Sequence, residues 1–480
     1  MILRNARLAD GSTVDIQITD GIISAIAPAL ADAGLEVIDL EGRWVSPGLW
    51  DNHVHFSQYA LVQQRLDLSS ASSARETADL VASALSRSRV GASPFIGYGF
   101  RDGLWPDAPS VELLDAAAGG MPTVLVSGDL HAVWLNSAAL ELYGHRGHET
   151  GLLQEDAAFD ITSQLGVVDD DILDGWAADA AKHAASRGVV GVVDLEMNWN
   201  LDTWKRRRAA GADNVRVEFG IYTQHLDRAI ELGLHTGQVI DELLSVGRYK
   251  VLTDGSLNTR TAYCYDEFPG LEGQAGSRGM LTMPPEQLLP LMRKAADAGL
   301  EPTVHAIGDH ANSLALDAFQ ELGIRGRIEH AQLVSAEDFA RFGALGVEAS
   351  VQPEHAMDDR DIADHHWAGR TDRTFPLRSL LDAGATLVFG SDAPVAPLDP
   401  WVTMSAAVGR TRDGREPWHP EQRLTVAEAF AASVRTAVAV GERADLIVTD
   451  VDPLAASAEA LRTMPVAATL LAGRFTHNAL

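Results

Sequence analysis

Cysteine is almost missing from this chain: Cys264 is the single one in 480 residues. No intramolecular disulfide can form, so the chain reads as a cytoplasmic protein. Long apolar runs are missing too. Stretches such as Val189–Val193 fall far short of a membrane span and suit buried strands. The start, Met1-Ile2-Leu3-Arg4-Asn5-Ala6-Arg7, has no apolar run behind its charges, so no signal peptide is expected. Positive charge is scarce, with 38 Lys and Arg against 67 Asp and Glu and a net charge of −29. Nucleic acid and anionic membrane are thereby excluded as partners, because both would repel the surface. Lysine is scarcer still: Lys182, Lys205, Lys250 and Lys294 complete the set. Where arginine dominates this strongly, a lysine inside an apolar segment raises the question of what arginine could not do there.

What is present is a hydrophobic content of 46% with 22% charged residues, enough to bury a sizeable core. The length suits a large domain with a smaller accessory one. Residues Ile2–Leu8 and Val14–Ile18 alternate apolar and polar residues around Asp10-Gly11 and Asp20-Gly21, which predicts short strands and tight turns. Ala444–Thr449 and Ala467–Arg474 have the same texture. Neither end could bury a core alone. Residues 1–47 and 440–480 are therefore expected to form one β-sandwich.

Between them, short apolar strands alternate with amphipathic helical stretches. Strands are expected at Trp44–His55, Val189–Leu195, Val215–Tyr222, Tyr249–Thr253, Pro302–Ala306, Arg327–His330, Val347–Gln352 and Leu387–Ser391. Helices are expected at segments such as Pro285–Ala298 and Ser335–Leu345. Eight strands in βα alternation predict an α/β class protein, a (β/α)₈ TIM barrel over residues 48–439. The stretch after the first strand is too long for one crossover, so residues 60–180 are expected to hold an insertion with its own strands at Pro94–Phe100 and Thr123–Ser127.

The sharpest chemical signal is Pro47-Gly48-Leu49-Trp50-Asp51-Asn52-His53-Val54-His55. Residues two apart on a strand share a face, so His53 and His55 can present imidazoles to one ion. Sixteen histidines produce His-x-His by chance, but the preceding Pro-Gly and Asp51 narrow the reading. His305, His330 and Asp392 each fall at the C-terminal end of a predicted strand, the face on which barrels build active sites. Four imidazoles and a carboxylate suit zinc or a similar divalent ion. Lys250 lies on a further strand. A buried lysine beside cations loses its proton readily, and the free amine can add CO₂ to give a carbamate that bridges two metals.

With these residues in view, the chain resembles the amidohydrolase superfamily and, within it, the amidohydrolase-3 or YtcJ-like group that includes N-substituted formamide deformylases. The resemblance rests further on Ser127-Gly128-Asp129-Leu130-His131-Ala132-Val133-Trp134, Thr150-Gly151-Leu152-Leu153-Gln154-Glu155, Asp254-Gly255-Ser256-Leu257, Val304-His305-Ala306-Ile307-Gly308-Asp309 and Ser391-Asp392-Ala393-Pro394-Val395. It implies a centre of two divalent metals, zinc first, with manganese, iron, cobalt or nickel as alternatives. His53, His55 and Asp392 would hold one ion, His305 and His330 the other, and carboxylated Lys250 would bridge them. Glu155 is a second candidate for the bridge, since some superfamily relatives use a glutamate. The implied reaction is hydrolysis of an amide-type C–N bond of a small molecule by metal-activated hydroxide, with Asp392 as proton carrier and His330 near the oxyanion. A possible homodimer is implied as well.

His131, Trp134, Glu155 and Arg373 are candidates for substrate contact. Trp105, Trp199, Tyr265 and Trp367 are further aromatic candidates for the pocket, while His355, His365 and His366 are expected in a solvated loop. Two rivals stand beside the hydrolase reading. A mononuclear deaminase would usually carry a glutamate close to His305, where Ala306-Ile307-Gly308-Asp309 stands instead; cyclic imides and esters are alternative substrates on the same scaffold. A non-catalytic binding barrel would be expected to lose metal ligands, and here the set is complete.

Overall fold

The computed structural model describes residues 1–87, 94–165 and 168–480. Eight parallel strands form its central sheet, numbered here in chain order. They are β1 (Leu49–Val54), β2 (Val189–Asp194), β3 (Arg216–Tyr222), β4 (Leu244–Leu252), β5 (Pro302–Ala306), β6 (Gly326–His330), β7 (Val347–Val351) and β8 (Leu387–Phe389). Each pairs with its sequence neighbour, from β1 to β8. β2 is buried at all six positions, as a strand covered on both faces must be, and it reads as a near-continuous apolar run for that reason.

The barrel is completed beyond the last strand. The Asp392 N–H donates to the His53 carbonyl at 2.7 Å and the His55 N–H to the Ala393 carbonyl at 2.8 Å. This close approach needs Gly390, because a Cβ there would lie 2.6 Å from the His53 backbone nitrogen. The seam that closes the barrel is thus made by the backbone of three candidate ligands' own segments.

The expected strand Trp44–His55 is two strands in two sheets. Trp44–Pro47 pairs with Leu446–Thr449 in the terminal sheet, and β1 belongs to the barrel. Gly48 sits at the crossing, where a Cβ would meet a Val190 methyl at 2.3 Å. Both termini share the terminal sheet, which is mostly antiparallel and contains eight strands with a branch at Ile2–Arg7. Its core includes Leu3, Ile16, Leu446 and Leu470.

Between β1 and β2 the chain builds a five-stranded sheet from Leu66–Asp67, Phe95–Phe100, Thr123–Ser127, Ala132–Leu135 and Leu152–Gln154. Helices Asp156–Leu165 and Asp170–Ser186 follow. The expected helix at Ser335–Leu345 starts as a 3₁₀ turn at Ala336–Asp338 and becomes α-helical at Phe339–Leu345. Among the described residues no helix is long and apolar enough to cross a membrane.

Candidate metal centre

The strand ends bring His53, His330 and Asp392 together, with one ligand atom from each lying within 4.8 Å of the others. His53 on β1 and His55, just past its end, both face Asp392: their Nε2 atoms lie 3.2 and 3.3 Å from its Oδ1. His305, at the end of β5, lies with its ring 4.5 Å from that of His330, centroid to centroid. Its Nε2 is 3.4 Å from Asp254 Oδ1 and 3.3 Å from the Gly255 carbonyl oxygen. Lys250 is buried on β4 and lines the same cavity. All six residues therefore meet at one end of the barrel, with His330 sharing its tight cluster with His53 and Asp392.

The electrostatics favour neutral imidazoles at His53, His305 and His330 and an ionised carboxylate at Asp392; burial would lower His55 too, but the Asp392 carboxylate outweighs it and raises that ring above the ordinary range. Burial pushes His53 and His330 below the ordinary imidazole range, and burial with the Lys250 charge brings His305 down to about 3. Burial alone would raise the Asp392 carboxyl, but His53, His55 and His330 outweigh it and hold it well below the usual range. Neutral imidazole and carboxylate are the forms that bind a metal. Burial also lowers the Lys250 amine.

These donors fit a divalent ion. Nδ1 of His55 and Nδ1 of His330 are buried without a hydrogen-bond partner among the described residues, and Nε2 of His53 and of His55 face the Asp392 carboxylate. Buried polar atoms are ordinarily satisfied, and imidazole nitrogens next to a carboxylate are a zinc-type donor set. His330 and Asp392 also adopt positive φ, 75° and 58°, a conformation uncommon for non-glycine residues and concentrated at functional sites.

Several participants were not legible as such. Glu329 accepts a hydrogen bond from Nδ1 of His53 at 2.8 Å and one from the Thr303 hydroxyl at 2.6 Å. Asp254 accepts the backbone N–H groups of Tyr263, Ile307 and Gly308, which ties the segment after β4 to that after β5. Burial pushes its carboxyl up to about 7.

The cavity above the ligands has a volume of about 800 Å³ and is walled partly by the inserted sheet. His131 and Glu155 line it as a pair, Nδ1 to Oε2, 2.9 Å apart. Burial would raise the Glu155 carboxyl, but His131 and the hydroxyls of Thr261 and Thr259 bring it down to about 2. Both Glu155 oxygens are engaged in this way, so they face His131 and the two threonines and not the ligand cluster.

Two candidates for substrate contact lie elsewhere. Trp134 is fully buried in the insertion, its indole N–H donating to the Ser110 carbonyl. It pairs with Leu125, on the face of the sheet opposite to Val126, and Val126 is the residue that lines the cavity. Arg373 lies 2.9 Å from the Asp309 carboxylate and is outside the lining. Trp105, Trp199, Tyr265 and Trp367 are also outside it; Tyr98, Phe159 and Tyr222 supply the aromatic wall. His355, expected in a solvated loop, begins helix His355–His366 and is buried against the cavity, its ring stacked 6.3 Å from that of His330.

A model of the amidohydrolase family matches residues 36–477. The chain belongs to that family. Protein LONG AFTER FAR-RED 3 of Arabidopsis thaliana is similar at 29% identity over 475 residues, 91% of this chain and 79% of that protein. The N-substituted formamide deformylase of Arthrobacter pascens is 25% identical over 490 residues, 91% of this chain and 89% of the deformylase. The crystal structure of a metal-dependent hydrolase from Pyrococcus horikoshii superposes with a TM-score of 0.79 at 24% identity, covering 95% of this chain and 99% of that one. Membership of the family and the geometry at the strand ends agree on a metal-dependent hydrolase.

Proposed function

We propose that this amidohydrolase cleaves an amide-type C–N bond, with N-substituted formamides and N-acyl amines as its substrate class. The observation that carries the reading is the convergence of His53, His55, His330 and Asp392 at the floor of a cavity large enough for a small molecule. His53, His55, His305, His330 and Asp392 would hold divalent metal, zinc first. Lys250 would join them as a carbamate made with CO₂, since burial favours its uncharged, nucleophilic amine. When bound, such an ion brings the pKa of a water toward neutrality and polarises a carbonyl oxygen.

The residues of the chain do the rest. Asp392 takes the proton of the attacking water and returns it to the leaving nitrogen, which an amide requires because an amide anion leaves poorly. Its carboxylate is ionised and faces both His53 and His55, as that first role needs. Glu329 holds the His53 ring, and the His131–Glu155 pair faces the substrate from the inserted sheet.

The test combines metal analysis with turnover. Protein purified without chelator is expected to hold about two ions per chain, where a mononuclear deaminase would hold about one. A panel of N-formyl, N-acyl, cyclic imide and ester compounds identifies the bond. Asp392→Asn is expected to lower kcat by about 100- to 10,000-fold; a near-native rate in that variant removes Asp392 from its role.

A further inference from the structure

We infer that the part of the cavity remote from the metal ligands is a subsite for a carboxylate carried by the substrate, with Arg65 as its anchor. This rests on the hydrolase reading above and narrows its substrate class. Arg65 lies in the turn that ends helix Phe56–Val62, a helix that starts directly after the ligand His55. Its guanidinium lines the cavity, and its Nε is buried with no hydrogen-bond partner among the described residues. No carboxylate among those residues pairs with it, burial lowers its pKa, and the neighbouring Tyr143 phenol is uncharged at neutral pH. Arg101, which lines the same cavity, is by contrast paired with Asp358 at 3.0 Å.

A second unpartnered donor faces the same space. The Thr162 hydroxyl, on helix Asp156–Leu165, is buried without a partner and also lines the cavity. Val62, Phe159 and Leu173 contribute apolar wall beside these two groups. A half-buried guanidinium among apolar side chains is costly unless an anion meets it, and its planar fork matches a carboxylate. Of the acidic residues of the lining, two are engaged by neighbours, while Asp156 and Asp160, on the helix of Thr162, are exposed to solvent. Asp129 accepts from Ser127, Ser256 and the His131 N–H, and Glu155 is engaged by His131 and two threonines.

The spacing follows from the helix. The seven-residue helix between His55 and Arg65 is about 10 Å long at about 1.5 Å rise per residue, and Arg65 lies three residues beyond its end. The substrate is therefore an N-acyl or N-formyl amine with an aliphatic stem that carries a carboxylate at its far end. A mono-anionic stem of medium length spans the floor and Arg65 together.

Hydroxamates, which chelate active-site metal, test this without knowledge of the natural substrate. Suberomonohydroxamic acid and octanohydroxamic acid share a chain length and differ in ending in a carboxylate or a methyl group. Calorimetric titration of zinc-loaded wild-type protein is expected to show the carboxylate form binding about tenfold more tightly or better. Arg65→Met should remove that preference, and Arg65→Gln serves if the methionine variant does not fold. Acetohydroxamic acid, too short to reach the subsite, should bind wild type and variant alike. Equal binding of the two long probes by wild type overturns the subsite alone, as does a preference that survives in a folded Arg65 variant. Failure of all three hydroxamates to bind zinc-loaded protein overturns the metal-centre reading and this inference with it.

Discussion

His53 can serve a metal through Nε2 only if its ring is fixed, and Glu329 fixes it through Nδ1 at 2.8 Å. Burial alone would raise the Glu329 carboxyl, but the neighbouring His53 and Lys250 outweigh burial and hold it well below its usual range. Such an outer carboxylate sets the tautomer and raises the basicity of the ligand. Glu329→Gln keeps the shape and loses the charge, so it is expected to weaken metal affinity by about 10- to 100-fold. Competition with a chelator reads this, and unchanged affinity would remove Glu329 from the role. The residues that gather at the strand ends were legible: His53 and His55 by their spacing of two, His305, His330 and Asp392 by their place at strand ends. Glu329 was not. A regular strand would send Glu329 and His330 to opposite faces, and the positive φ at His330 and Ala331 breaks that alternation. Nothing in Arg327-Ile328-Glu329-His330 announces the break, because a positive φ is uncommon outside glycine.

At the scale of elements, the strands of the barrel were readable because burial on both faces leaves them as apolar runs with little else to be. The same burial hides which side chain faces which space. Ala132–Leu135 is buried at all four positions, so the sequence could not show that Trp134 looks into the insertion and away from the cavity. The division of Trp44–His55 at Gly48 was hidden likewise, since one apolar run served two sheets. The elements are also tied by charge. Asp174, on helix Asp170–Ser186, accepts from Arg206 at 2.6 and 3.2 Å and from Arg207 at 2.8 Å, both on helix Asn200–Ala209. Burial raises the Asp174 carboxyl, but these two guanidiniums outweigh it and the net shift is downward. A carboxyl with a depressed folded-state pKa contributes stability above the unfolded value of 3.8 and loses it as pH falls through the folded one. Asp174→Asn is expected to destabilise the protein by about 1.5–3 kcal/mol at neutral pH. The difference from wild type should shrink as pH falls below 3.8, in urea titrations at each pH. A constant difference across that window would mean that the carboxylate charge contributes nothing.

Taken as a whole, the molecule depends on its terminal sheet to hold the mouth of the first barrel strand. The Gly48 N–H, at the crossing between the sheets, donates to the Asp445 carbonyl at 2.8 Å. The side chain of the same Asp445 receives Arg216 of β3 at 2.8 and 3.0 Å and the Ala472 N–H at 2.7 Å. The buried Asp445 thus joins the last segment of the chain to β3 through its carboxylate and to the crossing before β1 through its carbonyl, and Arg216 is buried with it. Removing one partner of a buried ion pair leaves the other charged and desolvated, which costs more than the pair contributes. Asp445→Ala is therefore expected to lose about 3–5 kcal/mol. If the sheet and barrel unfold as one, the loss should appear in a single urea transition, coincident by tryptophan fluorescence and by far-ultraviolet circular dichroism, with metal retained until that transition. Two separated transitions would show a terminal sheet that folds by itself, and a loss below about 1 kcal/mol would show that Arg216 finds another partner. Either result would free the metal centre from dependence on the C-terminal segment. The seam at His53 and Asp392 argues for dependence, because β1 runs directly from the crossing at Gly48 to the histidines that close the barrel.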